Sequence, residues 1–117
     1  MRNMRQEFFG PQGDTTWNLE RLKKITRQFT HCNIDIRDRA GIFDLFENNS
    51  FDLIIHCASQ PSHDKAREIP LVDFEVNALG TLNLLEATRQ FCTEAVFIHI
   101  STNKVYGDAP NELPMIE

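Results

Sequence analysis

The 117-residue sequence has no apolar run approaching the ~20 residues that span a bilayer, and no apolar core behind a basic patch at its N-terminus. A membrane partner and a secretory leader are therefore not expected, and a cytoplasmic location is. Cysteine is scarce: Cys32, Cys57 and Cys92 make an odd set without C-x-x-C spacing. That pattern suits a reducing compartment and excludes a disulfide scaffold. His31, His56, His63 and His99 form neither H-E-x-x-H nor a Cys/His cluster at zinc spacing, so no metal site is expected. Basic residues are outnumbered, with 12 Lys and Arg against 17 Asp and Glu for a net charge of -5. The most basic stretch, 21-RLKKITR-27, alternates with apolar residues as a solvated helix face does, so no nucleic-acid partner is expected. Repeats and low-complexity tracts are also absent. The length leaves room for one modest core, which excludes a two-domain enzyme and assigns residues 1–117 to a single domain.

What remains is a rhythm of short elements. Residues 1–13, with Gly10, Pro11 and Gly13, lack periodicity and read as a loop. Asp14 or Thr15 is placed to cap a helix bearing Leu19, Leu22, Ile25 and Phe29 on one side. The β-like run 30-THCNIDI-36 follows. Asp38 then caps a second helix, with Ile42, Leu45 and Phe46 together, that runs out at 48-NNS-50. The short, nearly continuous apolar run 51-FDLIIHCA-58 predicts a strand buried on both faces. Pro70 fits the first turn of a long helix reaching about Phe91, whose apolar residues exceed the stripe that one sheet contact needs. A last strand, 95-AVFIHIS-101, leads into a loop with Pro110 and Pro114. This alternation predicts an α/β fold with a parallel sheet between helices, and ligands in such sheets sit at the carboxyl ends of strands. Residues 35–38, 56–63 and 101–104 are thereby singled out. Within them His56, on an apolar run, reads as a satisfied core histidine, and Cys57 as a packing residue.

Four segments, 35-DIRD-38, 56-HCASQ-60, 77-NALGTLNLLEATR-89 and 101-STNKVYGD-108, together resemble the extended short-chain dehydrogenase/reductase family of NAD-dependent sugar-nucleotide epimerases and dehydratases. The resemblance implies a partial Rossmann-like, doubly wound parallel sheet, NAD as cofactor and a nucleotide sugar as substrate. It places Asp35 and Ile36 at the adenine, and Cys57, Ala58 and Ser59 where the fourth strand passes the ribose and pyrophosphate. Asn77 would approach the cofactor and brace the active-site strand, with Ser101 also on the cofactor side. Thr102 stands four residues before the tyrosine of V-Y-G and implies a catalytic hydroxyl that donates to the reacting sugar oxygen. Gln60, Ser62 and His63 fall in the loop facing nicotinamide and sugar. Asn103 and Lys104 take the place of the acidic pair that dehydratases carry, which favours an epimerase over a dehydratase; the closer resemblance is to a 2-epimerase, with a 4,6-dehydratase or 4-epimerase of the same family as the alternative. Gly80, unfavourable inside a helix, marks close packing. The family commonly forms homodimers through the long helix expected at residues 70–91.

Three family features are missing. No glycine-rich phosphate turn is present: 10-GPQG-13 has the first spacing, but Thr16 stands at the third glycine and Pro11 removes a donor. The ribose-binding acid should fall near position 1, where the sequence reads Met-Arg-Asn. The Y-x-x-x-K pair is absent too, since Pro110 lies four residues after Tyr106, the sole tyrosine. The expectation is an internal piece of an epimerase that starts after the second strand and stops after the fifth. Such a piece would be marginally stable and would not bind NAD on its own. A non-catalytic dinucleotide-binding or degenerate protein stays open as the alternative.

Overall fold

The computed structural model describes residues 4–102 and 109–114. Its centre is a sheet of two parallel strands, β1 (Leu53–His56) and β2 (Val96–His99), paired in register from Leu53 opposite Val96 to His56 opposite His99. Backbone bonds at both ends, from Val96 N to Asp52 O and from Ile100 N to His56 O, extend the ladder. Alternation along the strands turns Ile54, His56 and Phe97 towards the helices.

Two helices cover that face. In α3 (Arg39–Glu47) the cap is the one expected: the Asp38 carboxylate accepts from Gly41 N at 3.1 Å. At its other end the Asn48 and Asn49 amides donate to the carbonyls of Asp44 and Leu45, satisfying acceptors a helix terminus leaves open. The second helix, α6 (Gly80–Phe91), contributes Leu84 and Ala87 to a core shared with Ile42 and Phe46 of α3 and with Cys92. Edge-to-face aromatic pairs, Phe46 with Phe51 and Phe43 with Phe91, close its sides.

The long helix from Pro70 is continuous but not uniform. It begins as α5 (Pro70–Phe74), with proline in the first turn as expected, passes through a π-turn at Glu75–Leu79, and continues as α6. Ahead of it lies α4 (His63–Glu68), which begins at His63, the last residue of the expected loop. Its signal is local: Ser62 caps it by accepting from Lys65 N. No helix among the described residues is long and apolar enough to cross a membrane.

Four expectations need correction. Residues 4–13 are not a loop but α1 (Met4–Phe9) and a 3-10 turn at Pro11–Gly13. Gly10 links them at φ 73°, a left-handed conformation that glycine adopts without cost. The next helix, α2 (Thr16–Ile25), buries none of its residues, and Leu22 and Ile25 are exposed. Its cap comes from Asp14, whose Oδ1 accepts from both Thr16 N and Thr16 Oγ1. The run 30–36 is no strand: the two described strands pair with each other, and a strand needs a neighbour within about 5 Å. Asn83 on α6 holds this segment instead, donating from Nδ2 to Ile36 O at 2.9 Å across 47 residues. Finally, β1 is not buried on both faces. Leu53, Ile55, Val96 and Ile98 are exposed because the described helices pack on one side of the sheet.

Candidate functional site

Both strands end, in the parallel sense, beside the N-terminal part of the long helix, and two clefts open there that share Ala58, Ser59 and Pro61. The first, of about 430 Å³, gathers Gln60, Ser62, His63, Asn77, Ser101 and Thr102 with Asp73, Thr81 and His99. The second, of about 800 Å³, gathers Asp35, Ile36 and Cys57 with Asn33, Asp38, Val76 and the α1 residues Arg5, Phe8 and Phe9. Thus the proposed substrate-side residues that are described fall in one cleft. Asp35, Ile36 and Cys57 fall in the other, and Ala58 and Ser59 lie on the wall between them. Asn77 and Ser101, expected on the cofactor side, lie in the first cleft. Asn103, Lys104 and Tyr106 lie outside the described residues.

Geometry sharpens several roles. The Asp35 carboxylate is gripped by Arg37, whose Nε donates to Oδ1 at 3.0 Å, Nη2 to Oδ2 at 2.8 Å, and backbone N to Oδ1. Hydrogen bonding to Asp35 raises the Arg37 pKa above its ordinary value, outweighing burial, with further attraction from Asp35 and Glu75. Arg37 also reaches Glu75 at 3.6 Å, which ties the 35–38 loop to the π-turn. Ile36 lies over Gly80: a Cβ there would stand 2.6 Å from Ile36 Cδ1 and 2.7 Å from Cγ1. The close packing expected of Gly80 is therefore against Ile36. Cys57, expected to pack, is exposed because it follows the last paired residue of β1.

Asn77 braces the loop after β1 with its whole amide, accepting from Gln60 N at 2.8 Å and donating to Gln60 O and to Asp73 Oδ1. Its backbone carbonyl accepts from the Thr81 hydroxyl at 2.7 Å. A hydroxyl has one proton, so the 2.9 Å contact between Thr81 Oγ1 and His56 Nε2 must be donated by the imidazole. His56 is 3% exposed, and burial, followed by repulsion from His99 at 5.0 Å between ring centroids, lowers its pKa. It is the satisfied core histidine the sequence suggested, neutral with the proton on Nε2.

Gln60 departs from expectation. It is buried, and its side-chain amide is engaged with Ser62 N, Ser62 O and Asp73 Oδ1 rather than turned to the cleft. Ser62 caps α4, while His63 and Thr102 are exposed at the cleft. Sequence reasoning missed Asp73, Thr81 and Asn83. A signal was available: residues 73, 77 and 81 recur every four positions, so a polar stripe runs along one side of the helix. The π-turn between them is a deformation often found at functional sites.

Comparison with known proteins agrees with this fold. A family profile described as GDP-mannose 4,6 dehydratase matches residues 10–117. The chain is 43% identical over 94 residues to the CDP-paratose 2-epimerase of Salmonella typhi, covering 80% of this chain and 27% of that protein. It is 34% identical over 104 residues to the dTDP-glucose 4,6-dehydratase of Salmonella typhimurium, covering 80% of this chain and 29% of that one. Among solved structures, the UDP-Glc/GlcNAc 4-epimerase of Campylobacter jejuni superposes with a TM-score of 0.73 at 31% identity, over 80% of this chain and 28% of the other. The chain thus spans less than a third of the length of these relatives. On the family match and the shared fold, this chain belongs to the GDP-mannose 4,6 dehydratase family of extended short-chain dehydrogenases/reductases, with a partial Rossmann-like fold.

Proposed function

We propose that this chain is the central part of the dinucleotide-binding region of an NAD-dependent nucleotide-sugar 2-epimerase that converts CDP-paratose to CDP-tyvelose through a keto intermediate. The observation that carries the proposal is the pair of adjoining clefts, one lined by the adenine-side residues and the other by Thr102, Ser62 and His63. Identity of 43% to a CDP-paratose 2-epimerase supports the choice of sugar.

The second cleft fits an adenosine. Ile36 offers an apolar surface for a ring, and the small Ala58 and Ser59 let backbone come near a ligand. Arg37 holds Asp35 with three hydrogen bonds, and an ionised carboxylate has about four lone-pair sites, so capacity remains for an exocyclic amine. The chain has no glycine-rich turn for the pyrophosphate, so that contact falls to another part of the polypeptide. Bound there, NAD supplies the hydride acceptor and donor for oxidation and re-reduction at C2. In the first cleft the Thr102 hydroxyl donates to the sugar oxygen being oxidised, Ser101 borders the cofactor side, and Ser62 and His63 bound the sugar. Asn103 and Lys104 replace the acidic pair of a dehydratase, which favours epimerisation over water loss. A base working through Y-x-x-x-K must also come from beyond this chain, because Tyr106 is followed by Pro110.

The long helix leaves Leu71, Phe74 and Leu82 more than half exposed, and this surface supports a homodimer of the whole protein. The gene product, expressed with its flanking coding sequence, is incubated with NAD and, separately, CDP-paratose, dTDP-glucose and UDP-glucose. Inversion at C2 of the CDP sugar alone is expected. A 4,6-dehydrated or C4-inverted product from the other sugars, or no turnover of any, would refute the assignment.

A further inference from the structure

The two amides beside the first cleft perform the same operation in series. Asn77 spans the backbone N–H and C=O of Gln60, and Gln60 spans those of Ser62. An amide can rotate by half a turn, exchanging oxygen for nitrogen at little cost in shape, and either clamp would then oppose donor to donor and acceptor to acceptor. The orientation that satisfies both clamps also turns both NH₂ groups towards one further acceptor. Asp73 Oδ1 accepts from Gln60 Nε2 at 2.8 Å and from Asn77 Nδ2 at 3.0 Å. An ionised carboxylate only accepts, so it reinforces the orientation the clamps require and joins the two amides through one shared acceptor.

We propose that Asp73 is a positioning residue that keys these two clamps and thereby sets the loop 59–62 along the wall of the first cleft. This rests on the reading of that cleft as the sugar site. The consequences run through the chain of contacts. Ser62, held at both backbone groups by Gln60, caps α4, so α4 and His63 inherit their place from Asp73. Asn77 meanwhile ties the same loop to the π-turn, and its carbonyl joins the Thr81 and His56 contacts. Asp73 need not touch substrate. It acts on the residues that do.

The test compares wild type, Asp73→Ala and Asp73→Asn in the native gene product, whatever its length. Alanine removes the shared acceptor of both amides, whereas the amide oxygen of asparagine can stand where Oδ1 stands and accept from both. Trypsin cleavage at Lys65 and Arg67 reports the order of α4. Proton–nitrogen correlation signals from the side-chain amides of Asn77 and Gln60 report their bonds to residue 73. Asp73→Ala is expected to speed cleavage about tenfold, the equivalent of losing a hydrogen bond to a charged group, and to move both amide signals. Asp73→Asn should be cut at a rate closer to wild type than to Asp73→Ala. Unmoved amide signals in Asp73→Ala, or Asp73→Asn cut as fast as Asp73→Ala, overturn the proposal, and so does Asp73→Asn cut more than about tenfold faster than wild type, even if Asp73→Ala fails to fold. These measurements need neither cofactor nor substrate, so they stand apart from the function. In an enzyme that turns over CDP-paratose, kcat should rank the three proteins in the same order as their resistance to cleavage.

Discussion

Replacing Gly80 by alanine ought to stabilise an ordinary helix by about 1 kcal/mol, because glycine carries the larger conformational entropy cost. Here the sign should reverse. The new Cβ would stand 2.6–2.7 Å from Cδ1 and Cγ1 of Ile36, closer than carbon atoms approach. Cγ1 is near the stem of that side chain, and the Ile36 carbonyl is itself held by Asn83 at 2.9 Å, so retreat would strain a partly buried hydrogen bond. Overpacking of this kind costs about 1–3 kcal/mol, which leaves Gly80→Ala destabilised by up to about 2 kcal/mol after the helix gain. The cause can be isolated with Ile36→Ala. That change removes both close atoms and leaves only Cβ, 3.3 Å away, so Gly80→Ala in that background should stabilise by about 0.5–1 kcal/mol. A double-mutant cycle by urea unfolding, followed by far-ultraviolet circular dichroism in an osmolyte-containing buffer, measures the coupling. If Gly80→Ala raises the midpoint with Ile36 present, or shifts it equally in both backgrounds, the packing between the 33–37 segment and α6 is not as described.

Two further predictions concern the polar contacts beneath the first cleft. His56 has a depressed pKa in the folded state, so the unfolded chain binds the proton more readily. Stability should therefore be full above the unfolded pKa of about 6.5, and fall as pH drops below it by at most ~1.4 kcal/mol per pH unit until the folded group also titrates. Urea midpoints across that window should lose this slope in His56→Gln, and an unchanged slope would show that another group carries it. Thr81→Val keeps the shape of residue 81 but removes the acceptor for His56 Nε2–H and the donor to Asn77 O. Leaving a buried donor unpaired costs about 1–3 kcal/mol, read as a lower thermal midpoint, and a midpoint equal to wild type would refute the hydroxyl's role.

The parts of the fold visible in the sequence are those decided locally. Asp38 could be read as a cap because the bond it makes reaches only three residues ahead, to Gly41 N. Pro70 could be read as a helix start because the missing donor belongs to the first turn. The 30–36 run failed for the opposite reason. Its β-branched residues Thr30, Ile34 and Ile36 favour extended backbone, but a strand exists only where a neighbour supplies the ladder. Burial of β1 on both faces failed likewise: a continuous apolar run states what would be buried if a layer were present, and cannot say that one is.

The site divides along the same line. Clustering of residues 56–63 and 101–102 follows from topology, since parallel strands deliver their carboxyl ends to one edge, whereas residues 35–38 are held there by Asn83 and by packing on Gly80. What each side chain does there depends on partners far away in the chain, and this is where type and position alone misled. Gln60 has the chemistry to hold a sugar hydroxyl, yet both ends of its amide are occupied by Ser62 and Asp73. The four-residue spacing of Asp73, Asn77 and Thr81 offered the missing clue, because one face of a helix cannot carry three polar groups into an apolar setting unless they have partners. Those partners are the Gln60 backbone and side chain, reached by Asn77 and Asp73, and His56, reached by Thr81. A polar stripe on the inward side of a helix therefore specifies where a loop and a strand must lie, and here it holds the wall of the cleft through Asp73, Asn77 and Thr81.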